Sequence, residues 1–403
     1  MSIYTSPIND IAWENIQEFC NERIAENSAL DYKEGFPSNL EKTIAAFANT
    51  LGGIILIGIK EDKENKPTFP IEGINFEKGL EERVLNIILT NITPPLFPEI
   101  KVCPNEDSTK ALILIRVPQS HQTPHAINKN TKVYFRTGNL SNPEDLANVN
   151  KILWMSENRK LSENLREDLI SRAESRFKKI FEGKRLNAIK NDPLIKDYDK
   201  YCQLTLIISP VYPKDILITP LELKDLFPVI SVSDCCNTHG KFPCDDNYQN
   251  GLTIPDGYCI NDLHGNLVYH AEFNKYGLYF YKQNLFYNVD VNPQKIIRIN
   301  EIIGRLKNFI ESADRFFNKT GSQGLVKFNM MLSNVSEYIA VINSNYENEM
   351  RTFEDEILFE EIFLKQDLLE KKSEIIFKYL QNVLLAYNVN DWTIETIKKK
   401  YGI

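Results

Sequence analysis

The stretch LDYKEGFPSNLEKTIAAFANTLGGIILIGIKED, residues 30–62, decides how the N-terminal part of the chain is read. LDYK predicts a short strand. SNLEKTIAAFANT puts Ile44, Phe47 and Ala48 on one face of a helix, with Ser38 or Asn39 placed to cap it. GGIILIGI is a continuous apolar run with glycines at its mouth, the pattern of a fully buried strand. A strand, a helix and a second strand thus follow one another within a few dozen residues. Four charged residues, Glu26, Asp31, Lys33 and Glu61, are set around this scaffold.

Working outward, residues 8–24 space their apolar side chains as an amphipathic helix, and EKGLEERVLNIILTNI predicts another. PEIKVCP and KALILIRVP read as two strands around a polar turn, and KVYFRTGN as a further strand, followed by a helix starting near Ser141. Strands and helices interleave to about residue 155. Residues 156–195 turn helical and locally basic, with Arg172, Arg176, Lys178, Lys179, Lys184 and Arg185. That helix reads either as a solvated connector or as one touching nucleic-acid phosphates. Residues 196–340 predict a second, mixed domain: a strand at YCQLTLIISPVYP, an aromatic β-meander, a helix ending at Gly321 and a strand at GLVKFNMMLSNV. The tail, 341–403, predicts a long acidic helix over 345–387. Phe353, Ile357, Leu364, Leu368, Ile375 and Tyr379 line one face, packed on its own domain or forming a homodimer seam. The fold class is therefore α+β: an α/β domain, then a meander-and-helix domain with a long C-terminal helix.

The 403 residues allow two or three domains, and 42% hydrophobic with 25% charged residues is ordinary globular composition. No apolar run approaches the roughly 20 residues that span a bilayer. The N-terminus lacks the pattern of a signal peptide, and seven cysteines without a framework fit reduced thiols, so a cytoplasmic location is expected. A net charge of −8 argues against a surface coated with nucleic acid but allows a local groove and a divalent-cation site. GIILIGIK lacks the Gly-Lys-Ser/Thr of a phosphate-binding loop. Cys235, Cys236, His239 and Cys244 offer a weak zinc pattern, against which stands a loop of buried thiols; His125 is a conceivable general acid.

On a strand, side chains two apart share a face, so Asp31 and Lys33 lie together. If the two strands pair, Glu61 comes close to Asp31, and Glu26, Asp31 and Glu61 form a cluster of carboxylates. Such a cluster is costly without a cation, and Mg²⁺ or Mn²⁺ relieves that cost. The residues alone leave two readings open: a metal site, or solvated charges on a strand.

The stretch LDYKEGF…LEKTIAAFANTLGGIILIGIKED…IEGI resembles the Alba-type core domain of the Schlafen family, prokaryotic type. Ala46, Phe47, Ala48, Asn49, Thr50, Gly52, Gly53 and Gly58 carry the likeness, and it extends to a Tyr-x-Arg-x-Gly segment with Arg136 and Gly138. The resemblance covers about residues 15–155. It implies a metal-dependent endoribonuclease acting on RNA such as tRNA, with a place in stress or anti-phage defence. Glu26, Asp31, Lys33 and Glu61 would be catalytic, and Glu26, Asp31 and Glu61 would hold Mg²⁺ or Mn²⁺. Arg136 is expected to contact phosphate or to pair with a carboxylate; Lys60 and Lys63 either steer RNA or are simply solvated. Asp31 stands where the family pattern has Glu, Tyr32 where it has Phe, and Glu61 where it has Asp. The two acid exchanges keep the charge and move it by one methylene. The alternative is a non-catalytic regulator that binds nucleic acid or nucleotide, since fold alone does not fix activity.

Overall fold

An all-apolar strand needs cover on both faces. In the structure, a computed structural model, the run at Gly52–Ile57 gets it. The structure describes residues 3–4, 6–120, 122–129, 131–136, 144–187, 201–213, 216–233, 241–243, 251–264, 267–285, 295–322, 324–341, 350–365, 367–388 and 399. The chain folds into two units, Met1–Ser162 and Glu163–Ile403.

In the first unit, β1 (Leu30–Lys33) runs parallel to β2 (Gly52–Ile57), joined through helix α2 (Leu40–Ala48). Antiparallel β6 (Lys110–Pro118) follows, flanked by β3 (Ile74–Asn75) and β5 (Glu99–Pro104). Ile54 and Leu56 face α1 (Trp13–Asn21), packing with Trp13, Ile16 and Phe19. Ile55 and Ile57 face α2 and α3 (Leu80–Asn91), against Ile44, Phe47 and Val84. A second antiparallel sheet joins β4 (Ile92–Thr93), β7 (Ala126–Ile127), β8 (Lys132–Arg136) and β9 (Glu144–Leu146). Ser141 lies outside the described residues; the helix expected from there begins only at Val149, because residues 144–146 pair with β8. The Gly-Gly turn is a matter of close approach. A Cβ on Gly53 would stand 2.4 Å from the Phe47 ring and 2.7 Å from the Ala29 carbonyl, below any tolerable contact.

The α4 helix (Val149–Asn187) spans the boundary. In the second unit its Leu169, Ala173 and Phe177 pack on Ile207, Leu278 and Phe280. Arg172 pairs with Asp256 and Arg176 with the buried Glu272, so two of the basic residues are spent on carboxylates of the unit itself. The unit is built on a seven-stranded antiparallel sheet ordered β13-β14-β15-β16-β10-β18-β21. Its strands are β10 (Gln203–Pro210), β13 (Gly251–Ile254), β14 (Gly257–His264), β15 (Leu267–Asn274), β16 (Tyr279–Asn284), β18 (Leu325–Ser333) and β21 (Glu356–Leu364). Short strands β11 (Val232–Ser233) and β12 (Lys241–Phe242) pair, as do β17 (Ile296–Arg298), β19 (Ile339–Val341) and β20 (Met350–Arg351). Helices α5 (Pro220–Ile230), α6 (Ile299–Thr320), α7 (Asp367–Glu370) and α8 (Lys372–Ala386) supply side chains to the main core. The α6 helix ends at Gly321, with φ +68°, as the sequence predicts. The expected meander is β14-β15-β16.

The tail is the clearest departure. A C-terminal helix is present, but only over Lys372–Ala386; Glu356–Leu364 is a strand paired with β18. EILFEEIFL satisfies both periods, and the open edge of β18 selects the strand: Ile357 and Phe363 turn inward while Leu358 and Ile362 are exposed. Phe353 is 98% exposed. Leu368, Ile375 and Tyr379 are buried in this unit's own core, and a homodimer seam built on them would have to unpack it. The zinc candidates Cys235, Cys236, His239 and Cys244 lie outside the described residues. The Cys20, Cys103, Cys202 and Cys259 thiols are free and buried. Among the described residues no helix is long and apolar enough to cross a membrane.

A chain cut near residue 340 is expected to be insoluble rather than a folded monomer. It loses β21 and the buried faces of α7 and α8. Soluble yield and circular dichroism check this; a soluble product with an unchanged spectrum would contradict the packing described.

Candidate active site

The site begins with a carboxylate where a carboxylate is expensive. Asp31 sits on β1 at 2% exposure, on the face that looks toward α2. An unpaired charge buried there would cost several kcal/mol. Arg136, at the end of β8 and itself buried, offsets that cost: its Nη1 donates to Asp31 Oδ1 at 3.0 Å. The same guanidinium donates from Nε to the Asn27 carbonyl (3.3 Å) and from Nη2 to the Leu30 carbonyl (3.2 Å), and it lies over the Phe47 ring. It therefore fixes the whole turn that carries Glu26. Of the two roles open to Arg136, the geometry is that of the carboxylate partner; a buried guanidinium does not face phosphate.

The motif Asn49-Thr50 explains why Arg136 is there. The Asn49 side chain accepts from the His125 N–H (2.8 Å) and donates to the His125 and Tyr134 carbonyls (2.9 and 2.7 Å). Thr50 Oγ1 accepts from the Arg136 N–H at 2.8 Å. Their place directly after the helix suggests that these residues hold the adjacent turn; Thr50 does so, its Oγ1 donating to the Ala46 carbonyl at 2.8 Å, and both residues also dock β8, 85 and 86 residues away. That place was the signal, but their partners are invisible without the fold. His125 is fully buried, its Nδ1 against the Pro94 carbonyl (2.7 Å) and its Nε2 against Ser120 Oγ (2.6 Å). Burial pushes its pKa down to about 4, so it is a structural imidazole and not a general acid.

The other carboxylates converge from the far side. The Tyr32 N–H donates to Glu26 Oε1 at 2.6 Å, and the Glu26 N–H donates to the Asn65 carbonyl, tying it to the loop that follows Glu61. Burial, then the Asp31 charge, raise Glu26 to about 7 against the pull of the Tyr32 N–H and Lys33. The Glu61 charge adds a smaller upward push on Glu26. Glu61 is also raised, first by burial, with Lys33 opposing. Lys33 Nζ stands 2.5 Å from Asp31 Oδ2 and 4.0 Å from Glu26 Oε1. One proton, one ammonium and one guanidinium thus neutralise three carboxylates. The neighbouring Asp62 is turned away, accepting from the Glu64 and Lys66 N–H groups and from Arg23.

The donor set is chemically right for a hard divalent cation: all carboxylate oxygen, with Asp31 Oδ2 buried and outside hydrogen-bond alignment. The three acids are nevertheless not arranged as a ready ligand set; among the described residues no three His, Cys, Asp or Glu side chains are placed to hold a metal. Lys33 is the cation that lies against Asp31 Oδ2. Lys60 is exposed and pairs with Glu34 (2.9 Å). Lys63 is exposed in the turn after Glu61.

Two outcomes follow from this geometry. Arg136→Ala is expected to cost about 3–5 kcal/mol, the usual result of stranding a buried charge, and Arg136→Lys to recover part of it. Denaturant midpoints check both. Between the ordinary carboxyl range and about 7, the folded chain keeps a proton on Glu26 that the unfolded chain has released. Stability contributed by the first unit therefore falls as pH rises through that window. Glu26→Gln should reduce the dependence, leaving the part due to Glu61, and raise the melting temperature at pH 8 but not at pH 4; equal melts for both proteins at pH 8 would refute the assignment.

A family model, described as Schlafen, AlbA_2, matches residues 26–145, which span every residue of the cluster from Glu26 to Arg136. The solution NMR structure of the N-terminal domain of a RecG-related protein from Nitrosomonas europaea is similar over 34% of this chain and 96% of its own, at 15% identity and a TM-score of 0.26. No curated protein matches. The family match points to a nucleic-acid-related function for residues 26–145, which are similar to the Schlafen, AlbA_2 domain.

Proposed function

We propose that the first unit is an endoribonuclease, acting on RNA of the tRNA kind at Glu26, Asp31, Lys33 and Glu61. The observation that carries this is the Asp31–Lys33 ion pair beside Glu26, whose carboxyl is raised to about 7 by burial and the Asp31 charge. A carboxyl poised there can give or take a proton at neutral pH. Lys33 would stabilise the charge that develops on the scissile phosphate. Asp31, fixed by Arg136, would hold Lys33 in place. Above pH 7 the loss of the Glu26 proton leaves the cluster one negative charge in excess, which favours Mg²⁺ or Mn²⁺ on the oxygens of Glu26, Asp31 and Glu61. When bound, such an ion supplies polarisation of the phosphoryl oxygen. A sensing or specificity role for the second unit, a part in anti-phage or stress defence, and a cytoplasmic location belong to the same proposal; the free buried thiols suit the last.

One observation favours a second reading. Lys33 and Arg136 already neutralise Asp31, which suits a regulator that binds RNA, DNA or nucleotide without cleaving it. Purified chain with bulk tRNA and Mn²⁺ separates the two. Cleavage that rises with pH through about 7 and falls at least about 100-fold in Glu26→Gln and Asp31→Asn is the expected result. Intact RNA that is still bound by all three proteins would sink the nuclease and leave the binder.

A further inference from the structure

The domain carries an aromatic corner that nothing so far explains. Neighbouring side chains on a strand leave by opposite faces, so β8 sends Tyr134 one way and Phe135 the other. The Lys42 ammonium lies over the Tyr134 ring, 4.9 Å from its centroid. On the Phe135 side, the first turns of α4 bring up Lys151 and Trp154. Lys151 Nζ lies 5.4 Å from the centroid of Phe135 and 4.5 Å from that of Trp154. Trp154 is 46% exposed, so much of its ring is open to a partner. Lys151 has no carboxylate partner among the described residues.

We infer that Phe135 and Trp154, with Lys151 over both rings, form a stacking platform for an unpaired base of single-stranded nucleic acid. The inference rests on the reading that this unit acts on nucleic acid. Ring faces plus an unneutralised ammonium are what a single strand needs: the rings take bases of any sequence and the cation takes the phosphate. A duplex hides its base faces and would gain little from the rings. A second protein copy is disfavoured because the patch keeps a lysine at its centre, and lysine is depleted from the cores of protein interfaces.

The test measures binding of a fluorescent oligouridylate of about ten nucleotides by the full chain, in a Glu26→Gln background so that cleavage cannot intervene. Trp154→Ala is expected to weaken binding about 5- to 100-fold, and Trp154→Phe to keep most of it. Lys151→Gln should weaken it several-fold and lower the salt slope by about one. Affinity for a duplex of equal length should not change. Melting curves confirm that each variant folds, and Trp154→Phe and Lys151→Gln decide if the alanine variant does not. Unchanged affinity in the folded variants, or no binding by the parent, overturns the platform. So does a concentration-dependent mass in the parent that Trp154→Ala abolishes, which would make the patch an interface between copies. Tyrosine-side binding, lost in Lys42→Gln but not in Trp154→Ala, overturns it as well. Cleavage of tRNA by the chain with Glu26 intact scores the nuclease separately.

Discussion

The first unit depends on one buried ion pair. Asp31 sits on the inward face of a strand that must pack against α2, and its charge is tolerable there only because Arg136 arrives from β8, 105 residues later. Arg136 then does more than neutralise. By donating to the Asn27 and Leu30 carbonyls it shapes the turn on which Glu26 stands. The position of Arg136 is in turn set by Thr50 and Asn49 at the end of α2. A helix terminus, a distant strand and a buried guanidinium form one closed set of contacts, and the acid cluster rests on it.

The electrostatics of the cluster follow from that closure. Three carboxylates held together resist ionising together, and the chain meets this with a raised Glu26 pKa and two fixed cations in place of wide spacing. The arrangement is close to neutral while Glu26 keeps its proton and becomes acidic when it does not. Proton loss near neutrality is therefore coupled to demand for a cation or a positively charged partner. The second unit handles buried charge in a similar way: Glu272, fully buried on β15, is met by the guanidinium of Arg176 from α4, and Lys282 by Glu174. In both units a helix or strand is anchored by charge as well as by apolar contact.

Much of this was legible in the residues. The period-two and continuous apolar patterns marked β1, β2, β5, β6, β10 and β18, because burial of a strand face leaves a mark on every second residue or, under cover on both sides, on all of them. The Gly-Gly mouth of β2 was recognisable as a turn, and the close approach of Phe47 and Ala29 shows why no side chain fits at Gly53. The period-two rule put Asp31 and Lys33 on one face, and the resemblance joined Glu26 and Glu61 to them; the residues alone left solvated charges as open as a cluster. What the pattern misjudged was EILFEEIFL in the tail, where helical and strand periods coincide over the whole of Glu356–Leu364 and local preference cannot choose. The free edge of β18 chose the strand.

The sequence by itself determined which residues are apolar at which period, where glycine must stand, and that acids and a lysine share one end of a strand pair. Those are local properties, written within a few residues of where they act. Only the tertiary structure decided that Arg136 faces Asp31 and not solvent, that Asn49 and Thr50 hold β8, that Glu61 and not Asp62 turns toward Glu26, and that Trp154 stays at the surface beside Lys151. Each of those depends on which residues distant in the chain arrive at the same place, and on the cost of leaving a buried charge or polar group without a partner when they do not.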